Sequence, residues 1–148
     1  MKVGEIDFSK YAGKFTQEYP PFCSKTVNGI QLHNLSRAGD LPDEMPTKEV
    51  EIYSIEKIGG RTISSRELFE FIELRIKKVT GDFRQREIIQ AWRGVLMSSK
   101  EKVATYWPII KIRVKCSSGT YMRSLAHKAG EDLKVGALAL SIERTRIL

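Results

Sequence analysis

The sequence is poor in residues that cross-link or ligate. Its 148 residues include two cysteines and two histidines. Cys23 and Cys116 do not form a CxxC pair, and two histidines add no ligand cluster, so a structural zinc site is not expected. The thiols are expected to be reduced and half-buried. No run approaches the roughly 18 apolar residues that cross a bilayer, so no membrane contact is expected. The opening MKVGEIDFSKYAGKF has no apolar core of a secretory leader, and a cytoplasmic location is expected. No repeat or low-complexity tract occurs. Acidic residues are also in deficit, 18 against 25 Lys and Arg, for a net charge of +7. That excess points to a polyanionic partner, of which nucleic acid is the commonest.

What is present reads as one α+β domain over 1–148: a mixed, largely antiparallel sheet with flanking helices and an inserted helical hairpin. Ile6, Phe8, Tyr11 and Phe15 suggest a helix with Gly13 as its C-cap. Pro20 and Pro21 enforce an extended path, and Asn28-Gly29 signals a turn. A short helix then runs to Gly39, followed by the loop DLPDEMPTK. EVEIYSIEKIGG is a β-branched strand ending at its two glycines. Ser64 to Glu67 matches a capping box. Leu68, Ile72, Ile76 and Val79 follow at helical spacing, to Gly81. Asp82 to Gln85 opens a second helix with Ile88, Ile89, Trp92, Val95 and Leu96 on one face. Residues 64–97 thus form the hairpin.

PIIKIRVKC alternates cleanly. Ile110, Ile112, Val114 and Cys116 point one way; Lys111, Arg113 and Lys115 point the other. The cationic face can be a solvated surface or a phosphate-contacting one. After CSSGT a helix begins near Thr120, burying Leu125, Ala126, Ala129 and Leu133. Arg123 falls in its first turn, where the helix dipole disfavours a cation, so an anion is expected opposite it. ALALSIERTRIL alternates again and reads as a last strand, with Leu138, Leu140 and Ile142 inward and Arg144 and Arg146 near its end.

Three stretches, in order, resemble the TruB-type tRNA pseudouridine synthases. YPPFCSKTVNG…LSRAG is similar to that family's PP-x-Y-S-A-L-K-x-x-G…L-A-R-x-G, VKCSSGTYMRSLAHKAGEDL to C-S-K-G-T-Y-I-R-S-L…D-L-G, and GALALSIERTRIL to G-A-x-L-x-x-L-R-R-T-x-x-G. Cover is about 6–60 and 108–148, with the hairpin as an insertion. The resemblance implies isomerisation of a uridine flipped from a tRNA T-loop, with no cofactor and no metal. By position, Arg123 matches the arginine that pairs with the nucleophilic aspartate, Tyr121 the GTY tyrosine, Phe22 a base-stacking tyrosine, and Ile142 an aliphatic residue against the base. On composition alone Tyr121 and Phe22 would be core aromatics. Lys25, Asn28, Arg37, Lys115, Arg144 and Arg146 are the implied RNA contacts.

The family's G-x-x-D-P motif has no match here. Asp7, Asp40, Asp43, Asp82 and Asp132 all lack a following proline. Phe22 stands where the family has Tyr, Thr26 for Lys, His33 for Tyr and Glu143 for Arg. The chain is therefore expected to correspond to the second half of a catalytic domain, inactive alone, with the aspartate supplied by a separate chain or a missing portion of the same gene, and with a complementary half or self-association covering an exposed apolar sheet edge or face. The alternatives are an inactive RNA-binding module and a protein-interaction remnant.

Overall fold

A computed structural model describes residues 6–147. The chain forms two compact units, one containing Phe8–Ile55 and Val114–Leu148, the other Glu56–Arg113. Strands and helices alternate irregularly and the registered strand pairs are antiparallel, as an α+β chain requires.

In the first unit, a three-residue 3₁₀ turn, Ser9–Tyr11, precedes strand β1 (Gly13–Glu18). The helix expected here is absent. Gly13 instead opens the strand at φ 108, a left-handed conformation that suits its missing Cβ. Strand β1 pairs antiparallel with β4 (Thr47–Ser64), Gly13 opposite Ile52 and Glu18 opposite Thr47. Between them, β2 (Thr26–Val27) and β3 (Ile30–Gln31) form a two-residue hairpin. Asn28 and Gly29 turn it with φ of 50 and 80, the positive pair a tight hairpin demands. Helix α1 (Leu32–Ala38) ends on Gly39, as expected.

Val50 and Ile52 of β4 point inward while Glu49 and Glu51 do not, so period-2 alternation sets the buried face. Tyr11, Leu32, Leu125 and Ala129 complete this core. Strand β5 (Tyr106–Cys116) keeps the expected alternation: Lys111, Arg113 and Lys115 are exposed, and Ile112, Val114 and Cys116 are half-buried. Helix α5 (Met122–Asp132) buries Leu125, Ala129 and Gly130. It ends in a reciprocal pair of bonds, Val135 N to Gly130 O at 3.2 Å and Lys134 N to Glu131 O at 2.9 Å. This is the Schellman arrangement, with Lys134 at φ 55 in the place glycine prefers. A Cβ on Gly130 would strike the backbone of Ala137 and come within 2.6 Å of the Gly136 carbonyl carbon.

The last expected strand does not form. Residues 137–147 carry no regular structure, and Leu138 and Ile142 are 53% and 55% exposed. Alternation decides which side a residue would show, but a strand also needs a neighbour for its N–H and C=O groups. None of the described strands pairs with this segment.

In the second unit, β4 continues through Gly59 and Gly60 to Ser64 instead of stopping at them. A side chain at Gly60 would meet the Ile109 carbonyl at 2.9 Å, so glycine here permits close strand approach. The capping box is present: Ser64 Oγ accepts from Glu67 N, and Glu67 Oε2 accepts from Ser64 N. It opens helix α2 (Ser65–Lys77), which buries Leu68, Phe69 and Ile72. The next helix, α3 (Gln85–Met97), lacks a second box. Its N-cap is Arg84 at φ 57, with Asp82 Oδ1 accepting from Arg84 N and Gln85 Oε1 from Phe83 N. The polar side chains serve the turn instead of the helix end. Of the expected α3 stripe only Leu96 is fully buried; Ile88 and Val95 are exposed. A short helix α4 (Lys100–Val103) follows. Buried Ser65 gathers this end of the unit: its Oγ donates to Lys102 O and accepts from Trp107 Nε1 at 2.8 Å.

Tyr11 OH donates to Asp132 Oδ2 at 3.0 Å, tying the chain start to α5. That bond, with Lys128 and Lys10 nearby, holds the Asp132 carboxyl below its ordinary 3.8. Its stabilisation is present above the unfolded pKa and lost as pH falls through the folded one. Thermal melts should show Tyr11→Phe less stable than the parent at neutral pH, with the two curves converging below about pH 4. In the same unit, Gly130→Ala should cost about 1–3 kcal/mol by overpacking. Lys134→Gly should gain up to about 1 kcal/mol, the αL strain being relieved. Urea unfolding of the two variants checks both signs.

Candidate functional site

The segment between β5 and α5 is shaped by small polar residues. Ser117 N donates to Glu51 O at 2.8 Å, and Ser117 Oγ accepts from Glu51 N at 2.9 Å. Thr120 Oγ1 donates back to Ser117 O at 2.8 Å. Gly119 sits at φ 81, with the Lys48 side chain packed where a Cβ would be; Lys48 Nζ donates to Ser118 O.

Tyr121 follows as N-cap of α5, without a side-chain cap. Its peptide is held from β1. Gln17 Oε1 accepts from Tyr121 N at 2.8 Å, and Gln17 Nε2 donates to Tyr121 O at 3.2 Å. Gln17 is 6% exposed, a buried amide with both ends satisfied. The sequence reading missed it. A polar residue in a strand outside the matched motifs carries no local signal; only the fold brings Gln17 to Tyr121.

Opposite lies the loop after Pro20-Pro21. Cys23 O accepts from His33 N at 3.3 Å and lies 3.2 Å from His33 Nδ1; the carbonyl can only accept, so Nδ1 carries the proton. Lys25 O accepts from Leu32 N, and Lys25 Nζ stands 5.3 Å over the Tyr19 ring. The loop therefore rests on the start of α1. Arg123, in the first turn of α5, donates from Nη2 to Phe22 O at 3.2 Å, with its guanidinium carbon 6.0 Å from the Tyr121 ring centroid. Tyr121 meets Tyr19 edge-on at 5.7 Å. Burial, then the Cys23 thiol and Tyr19, push the Tyr121 phenol above its ordinary range against the pull of Arg123, so it remains a neutral donor at pH 7.

The structure thus assembles Arg123, Tyr121 and Phe22 from two distant stretches. Phe22 engages through its carbonyl, and the residue is 53% exposed. Ile142 is exposed in the irregular tail, outside these contacts. Lys25, Asn28, Arg37, Lys115, Arg144 and Arg146 are all exposed and all belong to the same unit. Among the described residues no carboxylate lies within ion-pair distance of Arg123, and no acid occupies the first turn of α5. The guanidinium keeps N–H donors to spare beside a positive helix end, an arrangement suited to an incoming carboxylate or phosphate. Among the described residues, no group of three or more His, Cys, Asp or Glu could hold a metal ion, and no helix is long and apolar enough to cross a membrane.

Comparison with known proteins gives a consistent result. The chain is similar to tRNA pseudouridine synthase B of Listeria monocytogenes, 29% identical over 138 residues, covering 93% of this chain and 32% of that protein. The enzyme of the same name from Phocaeicola vulgatus is 32% identical over 145 residues, covering 92% and 62%. That of Endomicrobium trichonymphae is 26% identical over 144 residues, covering 94% and 63%. This chain thus spans from about a third to under two thirds of these relatives. No protein-family model matches it.

Replacing Gln17 by Leu should destabilise the first unit by about 1–3 kcal/mol, because Tyr121 N loses its acceptor while Tyr121 O keeps only the bond from Leu125 N. Hydrogen exchange of the α5 amides measures the effect. The expected outcome is faster exchange through the first turn of α5, with α2 and α3 unchanged.

Proposed function

We propose, from the premise that this chain belongs to the TruB-type tRNA pseudouridine synthase family, that it supplies the arginine and aromatic side of a site isomerising uridine to pseudouridine in tRNA. The reaction breaks the C1′–N1 bond, forms C1′–C5, and exchanges the C5 proton for one on N1, so it needs no redox partner. The reading rests on one arrangement: Arg123 docked on the Phe22 carbonyl beside Tyr121, with no carboxylate in ion-pair reach among the described residues. A guanidinium in that place favours the ionised form of an aspartate brought alongside and orients it. Phe22 and Tyr121 offer ring faces to a flipped base, and Ile142 an aliphatic contact once the tail finds a partner strand.

The aspartate would come from a segment like the one that the longer relatives carry beyond this chain's span, supplied by a partner polypeptide or by a further portion of the same gene product. The same assembly would give the 137–147 tail a neighbouring strand. Residues 64–97 would then be an insertion in the family frame, and the site of action the cytoplasm. Phe22 lacks the phenol of the family tyrosine, so the completed site would stack the base without a proton donor at that position. A second reading, RNA binding without chemistry, is favoured by the exposed cations Lys25, Lys115, Arg144 and Arg146, whose contacts would be with phosphate.

Tritium release from tRNA labelled at uridine C5 tests the proposal. The chain alone should release none. Adding a polypeptide with the part of the Phocaeicola relative that this chain does not cover should restore release, and Arg123→Ala should abolish it, by about 100-fold or more. Tight association of the two polypeptides without any tritium release overturns the enzyme reading and leaves RNA binding, which a salt-dependent tRNA affinity would identify.

A further inference from the structure

The motif residues do not carry most of the positive charge. The first unit has 11 Lys and Arg against 9 Asp and Glu, a net +2. Residues Glu56–Arg113 have 13 against 7, a net +6. Several of these cations, among them Arg66, Lys78, Arg84, Arg86 and Lys100, make no carboxylate contact among the described residues. A polyanion would be drawn to this unit at least as strongly as to the motif-bearing one.

Helix α2 gives that charge a shaped surface. Leu68, Phe69 and Ile72 face the core. On the other side Phe71, Leu74, Arg75 and Lys78 recur at i, i+3, i+4 and i+7, one stripe of a helix. They line an open cleft of about 520 Å³. The Arg75 guanidinium carbon lies 4.4 Å from the Phe71 ring centroid, so two flat groups are already layered. Leu74 is 58% exposed, and Val79 and Phe83, just beyond the helix, are 50% and 49% exposed. Glu73 on the same helix pairs with Lys77 at 3.1 Å and Arg93 at 3.8 Å, and among the described residues neither Arg75 nor Lys78 makes an ion pair.

The geometry points to a second RNA-binding surface on α2, where Phe71 and Arg75 stack an unpaired base of a looped or single-stranded segment and Lys78 takes its phosphate. This extends the RNA contact of the proposed function and rests on it. An RNA duplex is the poorer fit, because its bases are stacked away and would leave Phe71 and Leu74 unused. Unpaired RNA offers π-faces and phosphates together, as a mixed apolar and cationic stripe demands.

The test uses the full chain with a tRNA and a short single-stranded oligoribonucleotide, followed by fluorescence anisotropy across a salt series. Arg75→Glu with Lys78→Glu should weaken oligonucleotide binding by about tenfold or more, and should reduce the salt slope by roughly 0.7 or more, the value for the single-strand phosphate contact of Lys78. Phe71→Ala should weaken binding roughly fivefold or more with the slope unchanged, because it removes stacking and no charge. Arg75→Gln with Lys78→Gln, which leaves the helix free of added charge, should fall between parent and reversal; circular dichroism confirms that each variant folds. If the parent binds RNA and all three variants match it, the α2 surface is refuted and RNA contact elsewhere stands. If the parent binds neither RNA, or binds only vesicles of anionic phospholipid, this inference and the RNA contact fall together.

Discussion

One buried amide sets the geometry on which the candidate site depends. Gln17 receives the N–H of Tyr121 and returns a hydrogen bond to its carbonyl, from a strand more than a hundred residues earlier in the chain. Tyr121 has no side-chain cap of its own, so this exchange fixes where α5 begins. The start of α5 in turn decides where Arg123 projects, in the first turn, against the Phe22 carbonyl. A buried amide with both ends paired is inexpensive to keep and costly to disturb. The same end of the helix is anchored by Ser117 on Glu51, and the far end by Tyr11 on Asp132. The arginine is thus presented by a helix secured at both termini.

The electrostatics of that presentation are incomplete within the described residues. A cation at the positive end of a helix, next to a neutral phenol and a backbone carbonyl, has acceptors for one of its donors but no counter-charge. Proteins usually pair such a group or send it to solvent. Here Arg123 is exposed, with one donor tied to the Phe22 carbonyl, and the chain spans only part of its relatives. Residues 137–147 alternate as a strand would, but none of the described strands pairs with them. The excess positive charge of the Glu56–Arg113 unit is a separate feature, outside the matched motifs.

Much of the architecture could be read along the chain. The capping box at Ser64, the Asn28-Gly29 hairpin, the Gly39 terminus, the alternation of β5 and the α+β class all appear in the structure. Each is a local device whose signal lies within a few residues. The failures share a cause. Gly13, Gly59 and Gly60 read as stops because glycine punctuates most chains, yet each lies within a strand, where Gly13 takes a positive φ and Gly60 lets the neighbouring strand approach. Asp82 and Gln85 have the composition of a cap, but their side chains close the preceding turn. Ile142 has the pattern of a buried strand residue and is exposed, because pattern cannot provide a partner.

By itself, the sequence determined the family resemblance, the identities of Arg123, Tyr121 and Phe22 as site candidates, and most helix boundaries, since these depend on residue type and short spacing. Only the tertiary structure decided that Gln17 holds Tyr121, that Arg123 meets the Phe22 carbonyl with no acid beside it among the described residues, and that 137–147 stays irregular. Those outcomes depend on which backbone groups from distant stretches come within hydrogen-bonding distance, and chain order does not encode that in any local pattern.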